Sequence, residues 1–145
     1  MCNIIPFEKI TLEWVKYLQQ EIPTLPGVYQ IYGDSPVYGT NTLLYIGKAK
    51  NLYNRIINNH EANIESFITR QPNISYRYAT VDSDHLNVVE QILIVMHKPS
   101  FNSANIININ SEIKKQYYYI QNHGERGMLH LELTNFYFFD KNNKL

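Results

Sequence analysis

From Val88 to Met96 the chain is apolar almost all the way round a helix, with Val88, Val89, Ile92, Leu93, Val95 and Met96 in one run. Such a helix is stable only when it is covered on every side, so it must be the central buried helix of its domain. Asp82 or Ser83 supplies a cap before it and Pro99 stops it after it. A chain of 145 residues, 44% of them apolar, suits a single domain over 1–145 with one core around that helix. One residue does not fit the run. Glu90 sits amid Val88, Val89, Ile92, Leu93 and Ile94, and acidic side chains are rarely buried unless paired or bound to metal. Two readings stand side by side. Glu90 is the ion-pair partner of Arg55, or it is a ligand for a hard cation such as Mg²⁺, which favours carboxylate oxygen and water.

The rest of the chain supplies what the helix packs on. Val28, Tyr29, Ile31 and Tyr32 predict a strand over 27–32, and a second follows over 42–46. Gly33, Asp34, Ser35, Pro36, Gly39 and Asn41 mark a long hairpin loop between them. Gly47 then reads as a sharp turn, and Asn51 as the cap of a helix from Leu52 to about Asn59. A second helical piece is expected over 61–69, and a third strand over 74–81. Residues 1–23 read as a helix, capped by Thr11, with Leu12, Val15 and Leu18 as its stripe and Pro23 and Pro26 at its end. Asn102 to Asn110 reads as a connecting loop. Ser111 to His123 reads as helix or irregular structure, Met128 to Phe139 as strand with a turn near Thr134–Asn135, and the tail from Asp140 as frayed.

Several classes are excluded by composition. Cys2 is the one cysteine, so no intrachain disulfide or Cys-rich zinc site can form, and the five histidines lack close metal-ligand spacing. No run approaches the ~20 apolar residues of a membrane span. No secretory signal is read at the N-terminus, so a cytoplasmic location is expected. Lys plus Arg equals Asp plus Glu at 13 each. A neutral chain that bound DNA would have to gather its cations on one face.

Four pieces carry chemistry. Pro26-Gly27-Val28-Tyr29 opens the first strand; Leu44-Tyr45-Ile46-Gly47-Lys48-Ala49-Lys50-Asn51-Leu52 joins the second to a helix; Arg55 sits on that helix; Glu90 sits on the buried one, which runs out through His97, Pro99 and Phe101-Asn102. Tyr29 and Tyr45 lie on strands that a hairpin pairs, so they can face one side; plain aromatic packing accounts for such a pair equally well. Lys48 and Arg55 near a helix N-terminus suit a phosphate, or form an ordinary solvated basic face.

Together these pieces resemble the GIY-YIG nuclease family, over roughly residues 24–104. Gly27-Val28-Tyr29 stands for the first motif, and Tyr45-Ile46-Gly47 matches the second. Within the family, Leu44 to Leu52 is similar to the nuclease module of the bacterial nucleotide-excision repair incision subunit. There a lysine lies three residues past the second tyrosine and an arginine ten past it, as Lys48 and Arg55 do here. An asparagine lies twelve past the glutamate after a His-x-Pro, as Asn102 does. Four residues past Arg55, where the family often has His or Tyr, stands Asn59, with His60 next to it as the candidate for that role. The loop over 33–42 looks more like the restriction-endonuclease branch.

The resemblance implies an α/β (α+β) fold: a small central three-stranded antiparallel sheet flanked by helices, here with an N-terminal helix over 1–23 and a C-terminal extension over 105–145. It implies an endonuclease that hydrolyses DNA phosphodiester bonds with one Mg²⁺ (or Mn²⁺) on Glu90. Tyr29, Tyr45, Lys48, Arg55, His60, Glu90 and Asn102 form the catalytic set, with Tyr45 the chosen base, its phenolate favoured by Lys48 and Arg55. Asn102 fixes the backbone around the metal site or the tyrosine hydroxyls. Lys48, Lys50 and Arg55 meet DNA, with Arg70 and Arg77 as additions to their face. A restriction-like or stand-alone DNA-processing enzyme leads, with a homodimer if both strands are cut. A structure-specific repair or recombination nuclease is the first alternative, and a non-catalytic nucleic-acid-binding module the second.

Overall fold

The computed structural model describes residues 7–18, 21–35, 39–58, 73–99, 101–102 and 116–135. Strands β2 (Gly27–Ser35) and β3 (Gly39–Ala49) form an antiparallel hairpin, and β4 (Ser75–Thr80) pairs antiparallel on the other side of β2. This is the expected three-stranded unit. The residues read as a hairpin loop are largely strand, since pairing continues through Gly33↔Thr42 to Ser35↔Gly39.

The sheet does not stop there. It has six strands in the order β3-β2-β4-β1-β5-β6, with β1 at Phe7–Lys16, β5 at Tyr117–Gly124 and β6 at Glu132–Thr134. β1 meets β4 at its C-terminal end, at Val15↔Tyr78 and Lys16↔Arg77 with the Tyr17 N–H donating to the Tyr76 carbonyl just beyond, and runs parallel to β5 from Phe7↔Tyr117 to Trp14↔Gly124.

The N-terminal helix is therefore wrong. Its proposed stripe does not face the core: Leu12 is buried, but Val15 is 39% and Leu18 71% exposed. Burial alternates instead, with Leu12 and Trp14 inward and Thr11, Glu13 and Val15 outward, the two-residue period of a strand. Phe7, Ile10, Thr11, Trp14 and Val15 also suit a pleated surface, and a partner strand distant in sequence decides the matter. That partner, β5, is itself strand where helix or irregular structure was expected; residues 111–115 lie outside the described residues. Of the strand expected over 128–139 only Glu132–Thr134 forms, and 136–139 lie outside.

The central helix α1 spans Leu86–His97, with Leu86, Val88, Val89, Ile92, Leu93, Ile94 and Val95 buried. Its N-cap is His85 without a side-chain cap; Asp82 instead accepts the His85 N–H at 3.1 Å. Lys98 closes it in a left-handed conformation (φ 48°), returning its N–H to the Ile94 carbonyl just ahead of Pro99. α1 covers one sheet face, against Val28, Tyr32, Leu43, Ile46, Ala79, Leu12, Trp14, Ile120 and Leu133. The other face gathers Tyr29, Ile31, Leu44 and Tyr78 against Ile22, Leu52 and Ile56. The helix expected over 52–59 forms over 52–58, where two α-helical residues run into a π-helical turn, Asn54–Asn58. Asn51 does cap it, accepting the Asn54 N–H at 3.1 Å. The helix expected over 61–69 lies outside the described residues.

Candidate active site

The hairpin register assembles the site. Ile31 pairs with Tyr45, Tyr29 with Gly47 and Val28 with Lys48. Side chains alternate across a strand, so Tyr29 and Tyr45 share one face and Lys48 takes the other. The two tyrosine rings lie 6.2 Å apart and tilted by 43°.

Gly47 is not the expected turn. It lies within β3, and its lack of a side chain serves the tyrosine across the ladder. A Cβ there would sit 2.5 Å from both the Tyr29 Oη and Cζ. Tyr29, 1% exposed, fills that space. Arg55 reaches it from the π-helical turn and donates its Nε–H to the Tyr29 hydroxyl at 3.2 Å.

Glu90 approaches from α1. Its Oε1 lies 3.7 Å from the Lys48 Nζ, with the Glu90 side chain 12% and the Lys48 side chain 41% exposed. Burial raises the Glu90 carboxyl above its ordinary range, against the opposing pull of Lys48 and Arg55. Tyr45 is half-buried. Burial and then the Glu90 charge push its phenol up, and Arg55 only partly offsets them. This corrects the expectation that the two cations would favour a phenolate: desolvation and a neighbouring carboxylate outweigh Arg55.

Asn102 is buried and bonds the backbone of β3. Its Oδ1 accepts the Ile46 N–H and its Nδ2 donates to the Ile46 carbonyl, both at 2.9 Å. β3 is an edge strand, and Asn102 partners that edge together with Phe101, whose N–H donates to the Leu44 carbonyl at 2.9 Å. The residue that Asn102 clamps stands between Tyr45 and Gly47.

A cleft of about 620 Å³ opens here, lined among others by Lys48, Lys50, Asn54, Arg55, Ser83 and Asn87. Lys50 thus lies on the same cleft as Lys48 and Arg55. Arg77 does not: it is 9% exposed, lies over the Tyr32 ring at 4.9 Å and pairs with Glu125 at 3.4 Å. It sits in β4, inside the sheet, where no cation can reach the cleft surface. His60 and Arg70 lie outside the described residues. Asn87 escaped the sequence reading. Lys48 donates its Nζ–H to the Asn87 Oδ1; the signal was its place three residues before Glu90 on one helix face.

Among the described residues no three His, Cys, Asp or Glu side chains gather to hold a metal. Glu90, Tyr29 and Tyr45 do not line the cleft themselves; the Glu90 carboxylate meets it through Lys48, which does. A single partly desolvated carboxylate fits Mg²⁺, which keeps several waters and takes one or two carboxylates.

The fold and this arrangement define a nuclease domain of the GIY-YIG class. The family described as the UvrC-like GIY-YIG domain matches residues 25–103, and the chain belongs to that family. UvrABC system protein C of Pseudothermotoga lettingae is 31% identical over 87 residues, covering 55% of this chain and 14% of the relative. The Borrelia turicatae protein of the same name is 34% identical over 86 residues, covering 57% and 14%. The chain thus matches only a small part of these relatives' length. The GIY-YIG N-terminal endonuclease domain of UvrC from Thermotoga maritima, in a crystal structure with its catalytic divalent cation, magnesium, is 27% identical with a TM-score of 0.43, over 55% of this chain and 85% of that domain. No described helix is long and apolar enough to cross a membrane.

Proposed function

We propose that this chain is a DNA endonuclease that hydrolyses phosphodiester bonds with one divalent cation, Mg²⁺ or Mn²⁺, held by Glu90. The observation that carries the reading is the pairing of Glu90 with Lys48 within electrostatic reach of Tyr45 and Arg55, next to a cleft lined by Lys48, Lys50 and Arg55. A binding module has no chemical use for a desolvated carboxylate at a phosphate site. Bound at Glu90, the cation supplies Lewis-acidic charge for the phosphate and the leaving 3′ oxygen.

The chain's own residues do the rest. Lys48 and Arg55 offset charge that builds on the phosphate. Tyr45 takes the proton of the attacking water. Neutralising the Glu90 charge removes one of the two influences that raise its phenol, so the phenolate that accepts this proton is more populated when the carboxylate is occupied. Tyr29 holds the Arg55 guanidinium, and Asn102 holds the strand that carries Tyr45. The likeness to UvrC favours a structure-specific repair or recombination nuclease over a restriction enzyme. A homodimer belongs to the restriction reading, because two strands of a palindrome call for two sites.

The test is incubation of the chain with supercoiled plasmid and with branched DNA, with and without Mg²⁺, beside Glu90→Gln. Expected are Mg²⁺-dependent cuts, faster on branched DNA, lost in Glu90→Gln with an unchanged melting temperature. A Glu90→Gln variant that cuts at the native rate overturns the cation site. Paired cuts at one plasmid sequence by a dimer would restore the restriction reading.

A further inference from the structure

Lys48 creates a difficulty for that cation site. Its ammonium lies 3.7 Å from the carboxylate that is to bind the metal, so it competes for the same oxygen. Lys48 also has a second acceptor. The Asn87 Oδ1 takes an Nζ–H, and Asn87 is exposed at the cleft, one helical turn before Glu90. The two acceptors differ in charge. When Glu90 takes a divalent ion, the Lys48 ammonium is repelled from that place, while a neutral amide oxygen attracts it as before.

We propose that Asn87 is a positioning residue that draws the Lys48 ammonium off Glu90, keeping the carboxylate open to a divalent cation and the ammonium facing the cleft. The inference rests on the proposed cation site at Glu90. It assigns a part to a residue that touches neither cation nor phosphate. The chemistry suits Asn and not a carboxylate: Asp would hold Lys48 too, but would add a second negative charge beside the site. An aliphatic residue would hand Lys48 back to Glu90.

The readout is Mn²⁺ affinity of the whole chain without DNA, followed by the electron paramagnetic resonance signal of the free ion. Four proteins are compared: the unsubstituted chain, Asn87→Ala, Lys48→Met and the double variant. Asn87→Ala is expected to weaken Mn²⁺ binding by about two- to fivefold, the range set by one partly exposed ion pair. In the Lys48→Met background the same substitution is expected to change nothing, because no ammonium remains to compete. Thermal melts establish that all four are folded, which the exposure of Asn87 favours. Equal affinity of Asn87→Ala and the unsubstituted chain overturns the proposal. An equal loss in both backgrounds overturns it too, since Asn87 would then act without Lys48. If the unsubstituted chain binds no Mn²⁺, the cation site itself falls, and that result is distinct from the other two.

Discussion

Tyr29 and Tyr45 are the same residue type on one sheet face, yet their hydroxyls meet different neighbours. The Tyr29 oxygen accepts from Arg55 at 3.2 Å in a space left by Gly47. Tyr45 is half-buried and feels both Glu90 and Arg55. Phenylalanine keeps ring and buried area and removes only the hydroxyl, so it separates the two roles. Tyr45→Phe is expected to lower the single-turnover cleavage rate by about 10²–10⁴, the usual cost of losing a general base, with little change in melting temperature. Tyr29→Phe leaves the Arg55 Nε–H without this acceptor, and a hydrogen bond to a charged group contributes about 1.5–3 kcal/mol. It is expected to lower stability measurably and rate less. Full activity in Tyr45→Phe eliminates it as the base, and a larger rate loss in Tyr29→Phe reverses the assignment. At this scale the sequence was readable where a role follows from spacing along one segment: Lys48, Arg55 and Asn102 all stand near the site. It was not readable where a role depends on what lies across the ladder. Gly47 reads as a turn until Tyr29 is seen opposite it, and Asn87 reads as an ordinary polar residue until Lys48 is seen to reach it.

Elements were legible in proportion to how local their causes are. α1 and the β2–β3 hairpin follow from their own apolar patterns and turn residues. β1 does not, because Leu12 fits a helical and a strand period alike, and only the distant partner β5 chooses between them. The elements around the site are joined by single polar residues, which gives two tests. Asn102→Ala removes both bonds to Ile46 and bares the N–H and C=O of a buried edge. A loss of about 2–3 kcal/mol is expected from leaving such groups unsatisfied, read by chemical denaturation, with cleavage falling alongside. An unchanged denaturation midpoint would show that water replaces Asn102 at no cost.

The second test is at the C-terminal end of α1. The His97 pKa is lowered to about 4, mainly by burial and, to a lesser degree, by the charge of His130. Its Nδ1 faces the Leu93 carbonyl at 2.9 Å and its Nε2 accepts the His130 N–H at 3.0 Å. A histidine depressed below its ordinary 6.5 binds fewer protons folded than unfolded, so its contribution is full above 6.5 and drains away as pH falls toward 4. His85 has the opposite sign: burial works to lower it, but Asp82 and Glu8 together raise it, so its contribution is present at low pH and is lost as pH rises through the raised value. Between pH 6.5 and 5 the slope from His97 should therefore flatten in His97→Gln, seen as converging melting temperatures. Parallel curves would show that His97 does not titrate with unfolding.

At the scale of the molecule, 13 cations balance 13 anions, so any attraction for DNA must come from where the charges stand. Lys48, Lys50 and Arg55 line one cleft, whereas Arg77 is spent inside the fold on Tyr32 and Glu125. That distribution makes a measurable claim. Each phosphate contact releases condensed counterions and contributes about 0.9 to the logarithmic slope of affinity against salt on duplex DNA, so the three cleft cations together predict a slope of roughly −3. A neutral protein with scattered charge would show almost none. The measurement is fluorescence anisotropy of a labelled duplex at several salt concentrations, with Ca²⁺ in place of Mg²⁺ to slow cutting. Lys50→Ala is expected to make the slope shallower by about one without touching the melting temperature, because its side chain is at the surface. Arg77→Ala should do the reverse, leaving the slope alone and lowering stability, since it strips a partner from Glu125 and a packing face from Tyr32. A flat salt dependence in the unsubstituted chain removes the cleft as the DNA surface. A shallower slope in Arg77→Ala, with Lys50→Ala unchanged, moves that surface away from the cleft, to Arg77 and its neighbours.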